Sequence, residues 1–109
     1  MTDRMVKVNE LILQQLGIVI AEELEFPEAM ITILAVDTSP DLRYAKVFVS
    51  VLPDTKTDET LRRLNNASKL LQKSLAGKIS LRSFPRLKFI FDDTEKQAEK
   101  IDRLLDSLK

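Results

Sequence analysis

The sequence contains no cysteine, no histidine and no tryptophan. Without cysteine there is no disulfide framework, no thiolate nucleophile and no thiolate zinc site. Without histidine the commonest general base and the commonest metal ligand are both missing. Glycine occurs only at Gly17 and Gly77, so no Gly-rich loop can cradle a phosphate. Aromatics are scarce as well: five phenylalanines and Tyr44. The apolar runs, such as Ile18 to Ala21, fall far short of the roughly 20 residues a membrane span needs. The opening Met1-Thr2-Asp3-Arg4 shows neither the apolar core of a signal peptide nor the Arg-rich, acid-poor character of a transit peptide. A cytoplasmic location without membrane attachment is therefore expected.

What is present suits one small domain covering residues 1–109. A chain of that length buries roughly 65% of its unfolded surface, enough to fold without a metal or a staple. Net charge is zero, with 17 basic and 17 acidic residues, yet the charges segregate. Residues 1–59 hold 5 Lys/Arg against 11 Asp/Glu, and residues 60–91 hold 8 Lys/Arg and no acid. Residues 92–109 hold 4 basic and 6 acidic residues. Such segregation lets a neutral protein present a basic face to nucleic acid.

Residues 4–24 form an amphipathic helix, with Met5, Val8, Ile12, Leu16, Val19, Ile20 and Leu24 at three- and four-residue spacing. Thr2 or Asp3 is placed to cap it, while Glu22, Glu23 and Glu25 crowd the negative end of its dipole. Residues 30–37 and 43–52 read as strands. In the second, Ala45, Val47, Val49 and Val51 alternate with Tyr44, Lys46, Phe48 and Ser50. The Thr38–Leu42 segment between them contains Ser39-Pro40-Asp41, a turn composition, so the pair should form an antiparallel hairpin. After a loop opened by Pro53, Thr57 is placed to cap a helix running from Asp58 to about Ile79. Leu61, Leu64, Ser68, Leu71 and Leu75 share one face of it, and Arg62, Lys69 and Lys73 share the opposite face. Asn65, Asn66, Ala67 and Ser68 make a poor helix centre and predict a kink, because Asn and Ser compete for backbone hydrogen bonds. A third strand covers 87–92, entered through Pro85. A last helix covers about 94–108, with Thr94 as its cap and Ile101, Leu104, Leu105 and Leu108 on its apolar face. The class is α+β.

Little here supports catalysis. Asp92 and Asp93 are adjacent near a strand end, where neighbouring side chains point to opposite faces. Asp37 and Asp41 flank a turn. Ser39, Ser68 and Ser80 have no base to activate them. No cofactor, metal or small-molecule substrate is expected. The basic block is more informative. Arg62, Lys69 and Lys73 stripe one helix face, and Lys78, Arg82, Arg86 and Lys88 extend it toward the third strand, a surface suited to phosphates. The competing reading is a solvated cationic face. Phe48, Phe84, Phe89 and Phe91 are expected in the core, leaving Tyr44 as the one aromatic open to a base. Recognition by shape and backbone is expected rather than base-by-base readout.

The element order is that of a KH domain of the second topological type, with an additional C-terminal helix. The run from Val36 to Ser50, with Ser39-Pro40-Asp41-Leu42-Arg43-Tyr44-Ala45-Lys46-Val47 at its centre, resembles the hairpin signature of the ribosome-binding factor A family. Arg4-Met5-Val6-Lys7-Val8, Lys78-Ile79-Ser80-Leu81-Arg82, Pro85-Arg86-Leu87-Lys88-Phe89-Ile90-Phe91-Asp92 and Ile101-Asp102-Arg103-Leu104-Leu105 are similar to that family's remaining segments. The resemblance implies a non-enzymatic factor that binds the free 30S subunit and assists late maturation of 16S rRNA, expected here as a monomer. It also implies a helix kink of the form Ala-x-Gly. In Ala67-Ser68-Lys69 the third position is lysine, which adds a charge where RNA should lie. The alternatives are a protein-interaction adaptor, using the acidic first half and the last helix, and a hydrolase using Asp92 or Asp93.

Overall fold

A computed structural model describes residues 3–81 and 84–92. The long periodic segment forms helix α1, Asp3–Glu23. Strands β1, Met30–Thr38, and β2, Tyr44–Leu52, follow as the expected antiparallel hairpin, its register shifted between Ile33 and Ala35. A short 3-10 turn at Asp54–Lys56 leads into α2, Thr57–Asn66, which is separated by Ala67 from α3, Ser68–Ala76. Strand β3, Arg86–Phe91, lies parallel to β2 and completes a three-stranded sheet of order β1-β2-β3. The fold is α+β, with the order α-β-β-α-break-α-β expected for it. The additional helix at 94–108, its cap Thr94, the N-terminal cap at Thr2, Arg82 and Asp93 lie outside the described residues.

The helices form one layer over one face of the sheet. Helix α1 contributes Val8, Ile12, Leu16, Val19 and Ile20 to the core; α2 and α3 contribute Leu64, Leu71 and Leu75. The sheet answers with Val36, Ala45, Val47, Val49, Val51, Leu87 and Phe89. Strand parity thus carries Tyr44, Lys46, Phe48 and Ser50 to the opposite face. Phe48 is therefore half-buried there and not in the core, because a residue between Val47 and Val49 must point away from them. Of the four phenylalanines expected inside, Phe89 is fully buried, while Phe84 and Phe91 are half-buried.

Thr57 does not act as a cap. It is the first residue of α2, Lys56 occupies the capping position, and the Thr57 hydroxyl is buried without a hydrogen-bond partner. The 3-10 turn carries the chain into the helix instead, with the Lys56 N–H donating to Pro53 O at 3.0 Å. The acid-rich end of α1 is offset from outside: Lys78 Nζ lies 3.2 Å from Glu22 Oε1, and Ser74 donates to Glu23 Oε1 at 3.2 Å.

Candidate nucleic-acid interface

The polar run in the middle of the second helical segment has a use that periodicity did not show. Strand β3 is an edge, and alternate backbone groups point away from β2 toward the helices. Asn65 covers them as a two-way clamp: its Nδ2 donates to Phe89 O at 3.1 Å, and Phe89 N–H donates to its Oδ1 at 2.8 Å. Ser68 Oγ donates to Leu87 O at 2.7 Å, and Gln72 Nε2 donates to Phe84 O at 3.0 Å. Ser68 sits among leucines because its hydroxyl meets a strand carbonyl. These bonds satisfy a sheet edge that would otherwise be a pairing hazard.

The expected helix break is present, centred on Ala67 at φ −89°, ψ 6°. The Ala67 N–H still donates to Arg63 O at 3.0 Å, and Leu71 N–H to Ala67 O at 2.9 Å, so helical bonding resumes at once. Lys69 is accommodated in the first turn of α3. Leu42 is the only non-glycine residue with positive φ among the described residues, so the break needs no glycine at 69.

The break and the start of β3 enclose an open groove of about 610 Å³, lined by Tyr44, Asn65, Asn66, Ser68, Lys69, Arg86, Leu87 and Lys88. Three of the basic residues singled out by sequence, Lys69, Arg86 and Lys88, meet here, and none of the described lining residues is acidic. All three are exposed, with Arg86 and Lys88 alternating with buried Leu87. Arg62 and Lys73 are exposed on α2 and α3 but outside the groove. Lys78 is drawn to Glu22 at the far end of α3.

Two residues escape the sequence reading of the site. Asn65 reads there only as a helix weakener, and Lys46 lies outside the basic block, yet it is exposed and pairs in register with Lys88. Its parity with Tyr44 was the available signal.

The hairpin turn beside the groove is tied by its own side chains. Ser39 Oγ donates to Asp41 Oδ1 at 2.6 Å and accepts from Tyr44 N–H at 3.1 Å, and Arg43 N–H donates to Asp41 Oδ1 at 3.1 Å. The Ser39 hydroxyl foremost, then the Arg43 amide and charge, hold the Asp41 carboxyl below the usual carboxylate range. A second recess, lined by Phe26, Pro27, Glu28, Ala29, Lys56, Glu59, Thr60 and Arg63, has its cations engaged. Arg63 stacks 4.2 Å above the Phe26 ring, and Lys56 pairs with Glu28 at 3.2 Å. Among the described residues no cluster of acids could hold a metal ion, and no helix is long and apolar enough to cross a membrane.

Comparison with known proteins agrees with this architecture. The ribosome-binding factor A of Akkermansia muciniphila is 33% identical over 108 residues, spanning 99% of this chain and 86% of that protein. The crystal structure of ribosome-binding factor A from Thermus thermophilus superposes with a TM-score of 0.71 at 28% identity, covering 79% of this chain and 93% of that one. A homology model of the Thermus thermophilus protein, fitted into the cryo-EM map of a 30S–RbfA complex, gives a TM-score of 0.62 at 23% identity over 86% of this chain and 97% of that one. The family model for ribosome-binding factor A matches residues 4–105, so nearly the whole chain, hairpin and broken helix included, belongs to the ribosome-binding factor A family.

Proposed function

We propose that the protein is a non-catalytic assembly factor that docks on the free 30S subunit and assists late maturation of 16S rRNA. It would act as a cytoplasmic monomer with a single RNA-binding domain. The observation that carries this reading is the groove at Ala67-Ser68-Lys69. There Lys69, from α3, and Arg86 and Lys88, from β3, converge without an acid among the described lining residues. Phosphates are the natural counter-charge for such a surface, and the exposed Asn66 adds a polar group of the kind that contacts sugar and phosphate oxygens. Arg62 and Lys73 broaden the positive field beside it. The Thermus thermophilus relative placed in a 30S complex supports the choice of partner.

Cosedimentation of the tagged protein with ribosomal subunits tests the proposal. Enrichment on free small subunits is expected, with log affinity falling against log salt at a slope of about −2 to −3 for three phosphate contacts. Lys69→Glu, Arg86→Glu and Lys88→Glu should each weaken binding, while Lys7→Glu, on the exposed side of α1, should not. Protein that stays at the top of the gradient, or binding insensitive to salt and to all three reversals, would overturn the proposal and favour the adaptor reading.

A further inference from the structure

We infer that Tyr44 is a stacking platform for an unpaired base, which makes the groove selective for single-stranded over duplex RNA. The inference rests on the RNA-binding reading above and adds the class of RNA the groove takes.

Tyr44 is 55% exposed although it begins a central strand. It lines the groove together with Lys69, Arg86 and Lys88, and among the described residues it is the only aromatic that does so. Its backbone is held on both sides. Its N–H donates to Ser39 Oγ and its carbonyl accepts from Ser39 N–H at 2.8 Å, while the preceding Arg43 carbonyl accepts from Arg86 N–H at 2.8 Å. A ring on so fixed a base has only two side-chain torsions to order when a ligand arrives. Tyr44 is also the register partner of Arg86 on the neighbouring parallel strand. Strands run about 4.8 Å apart, so ring and guanidinium are presented side by side. Single-strand sites pair a base stacked on an aromatic face with a cation on the adjoining phosphate. In a duplex the base faces are already stacked on one another, so a lone ring at a groove wall gains little from it.

The sequence supplies a reporter, since Tyr44 is the only tyrosine. The test uses the full chain with two probes, a short unstructured oligoribonucleotide and a blunt-ended RNA duplex of equal phosphate number. On titration with the single strand, the Tyr44 ring protons should move upfield in NMR spectra from the ring current of a stacked base; with the duplex they should stay in place. Tyr44→Ala should weaken single-strand binding by about 5- to 150-fold, the range for loss of one base–aromatic stack, without changing the salt slope. Tyr44→Phe should bind like the parent. Lys69→Glu should weaken both probes and flatten the slope. Ring protons that do not move at saturation with the single strand would overturn the inference, even if Tyr44→Ala failed to fold. If the parent binds with the expected salt slope but Tyr44→Ala binds the single strand equally well, the stacking role falls and the groove proposal stands. If the parent binds neither probe, both fall.

Discussion

Replacing Asn65 by alanine separates two opposite expectations. Helix propensity alone says that alanine in the last turn of α2 should stabilise the chain, by up to about 0.7 kcal/mol. The structure says the reverse, because Asn65 makes both a donor and an acceptor bond to the backbone of Phe89, at 3.1 and 2.8 Å. Each such bond is worth about 0.5–1.5 kcal/mol net. The groove is open, so water can reach the freed groups, and the lower part of that range applies. Two bonds then sum to about 1–2 kcal/mol, and after the propensity gain a net loss near 1 kcal/mol is expected. Urea unfolding followed by circular dichroism measures it, and hydrogen exchange should show the Phe89 amide losing protection. Asn65→Asp sharpens the test. It keeps the acceptor for Phe89 N–H, but turns a carboxylate oxygen toward Phe89 O and puts negative charge at the negative end of α2. The protonated acid regains a donor, so its folded-state pKa should be raised. Folding of this variant is then best below the ordinary carboxylate pKa and worsens as pH rises through the raised one. An alanine variant more stable than the parent, with Phe89 protection unchanged, would refute the clamp.

Gly17 lies within α1, and a Cβ there would meet nothing within 4 Å. Gly17→Ala should therefore stabilise the fold by about 0.5–1 kcal/mol and raise Tm by a few degrees in a thermal melt; a lowered Tm would contradict that packing. Thr57→Val should be neutral or slightly stabilising by urea titration, because the buried hydroxyl has no partner, whereas loss of a true cap would show as about 1 kcal/mol of destabilisation. The lowered Asp41 pKa means that the ionised carboxylate supports the hairpin turn fully above its ordinary value, with that support lost as pH falls through the lowered one. Ser39→Ala removes the largest cause, so the Asp41 titration midpoint followed by NMR should rise, and an unmoved midpoint would show that the hydroxyl is not responsible.

Local regularities were legible without a structure. The three- and four-residue spacing of Val8, Ile12, Leu16 and Val19 announced α1, and the alternation through Ala45, Val47, Val49 and Val51 announced β2, because burial of one face imposes the period of the element on the sequence. The turn at Ser39-Pro40-Asp41, the weak point around Ala67 and the basic block from Arg62 to Lys88 could be read for the same reason: each depends on residues near in sequence. What lay beyond reach depends on residues far apart. Nothing local tells that Asn65 and Ser68, poor helix formers, face the open edge of β3, or that Lys78 pairs with Glu22. Parallel pairing of β2 with β3 sets Tyr44 beside Arg86 and Lys46 beside Lys88, and the packing of the broken helix on β3 adds Lys69 to the same groove. Sequence determined which segments would be helix, strand and basic; the crossover connection from β2 through α2 and α3 to β3 decided which side chains meet, because register and strand order arise from contacts between elements and leave no period along the chain.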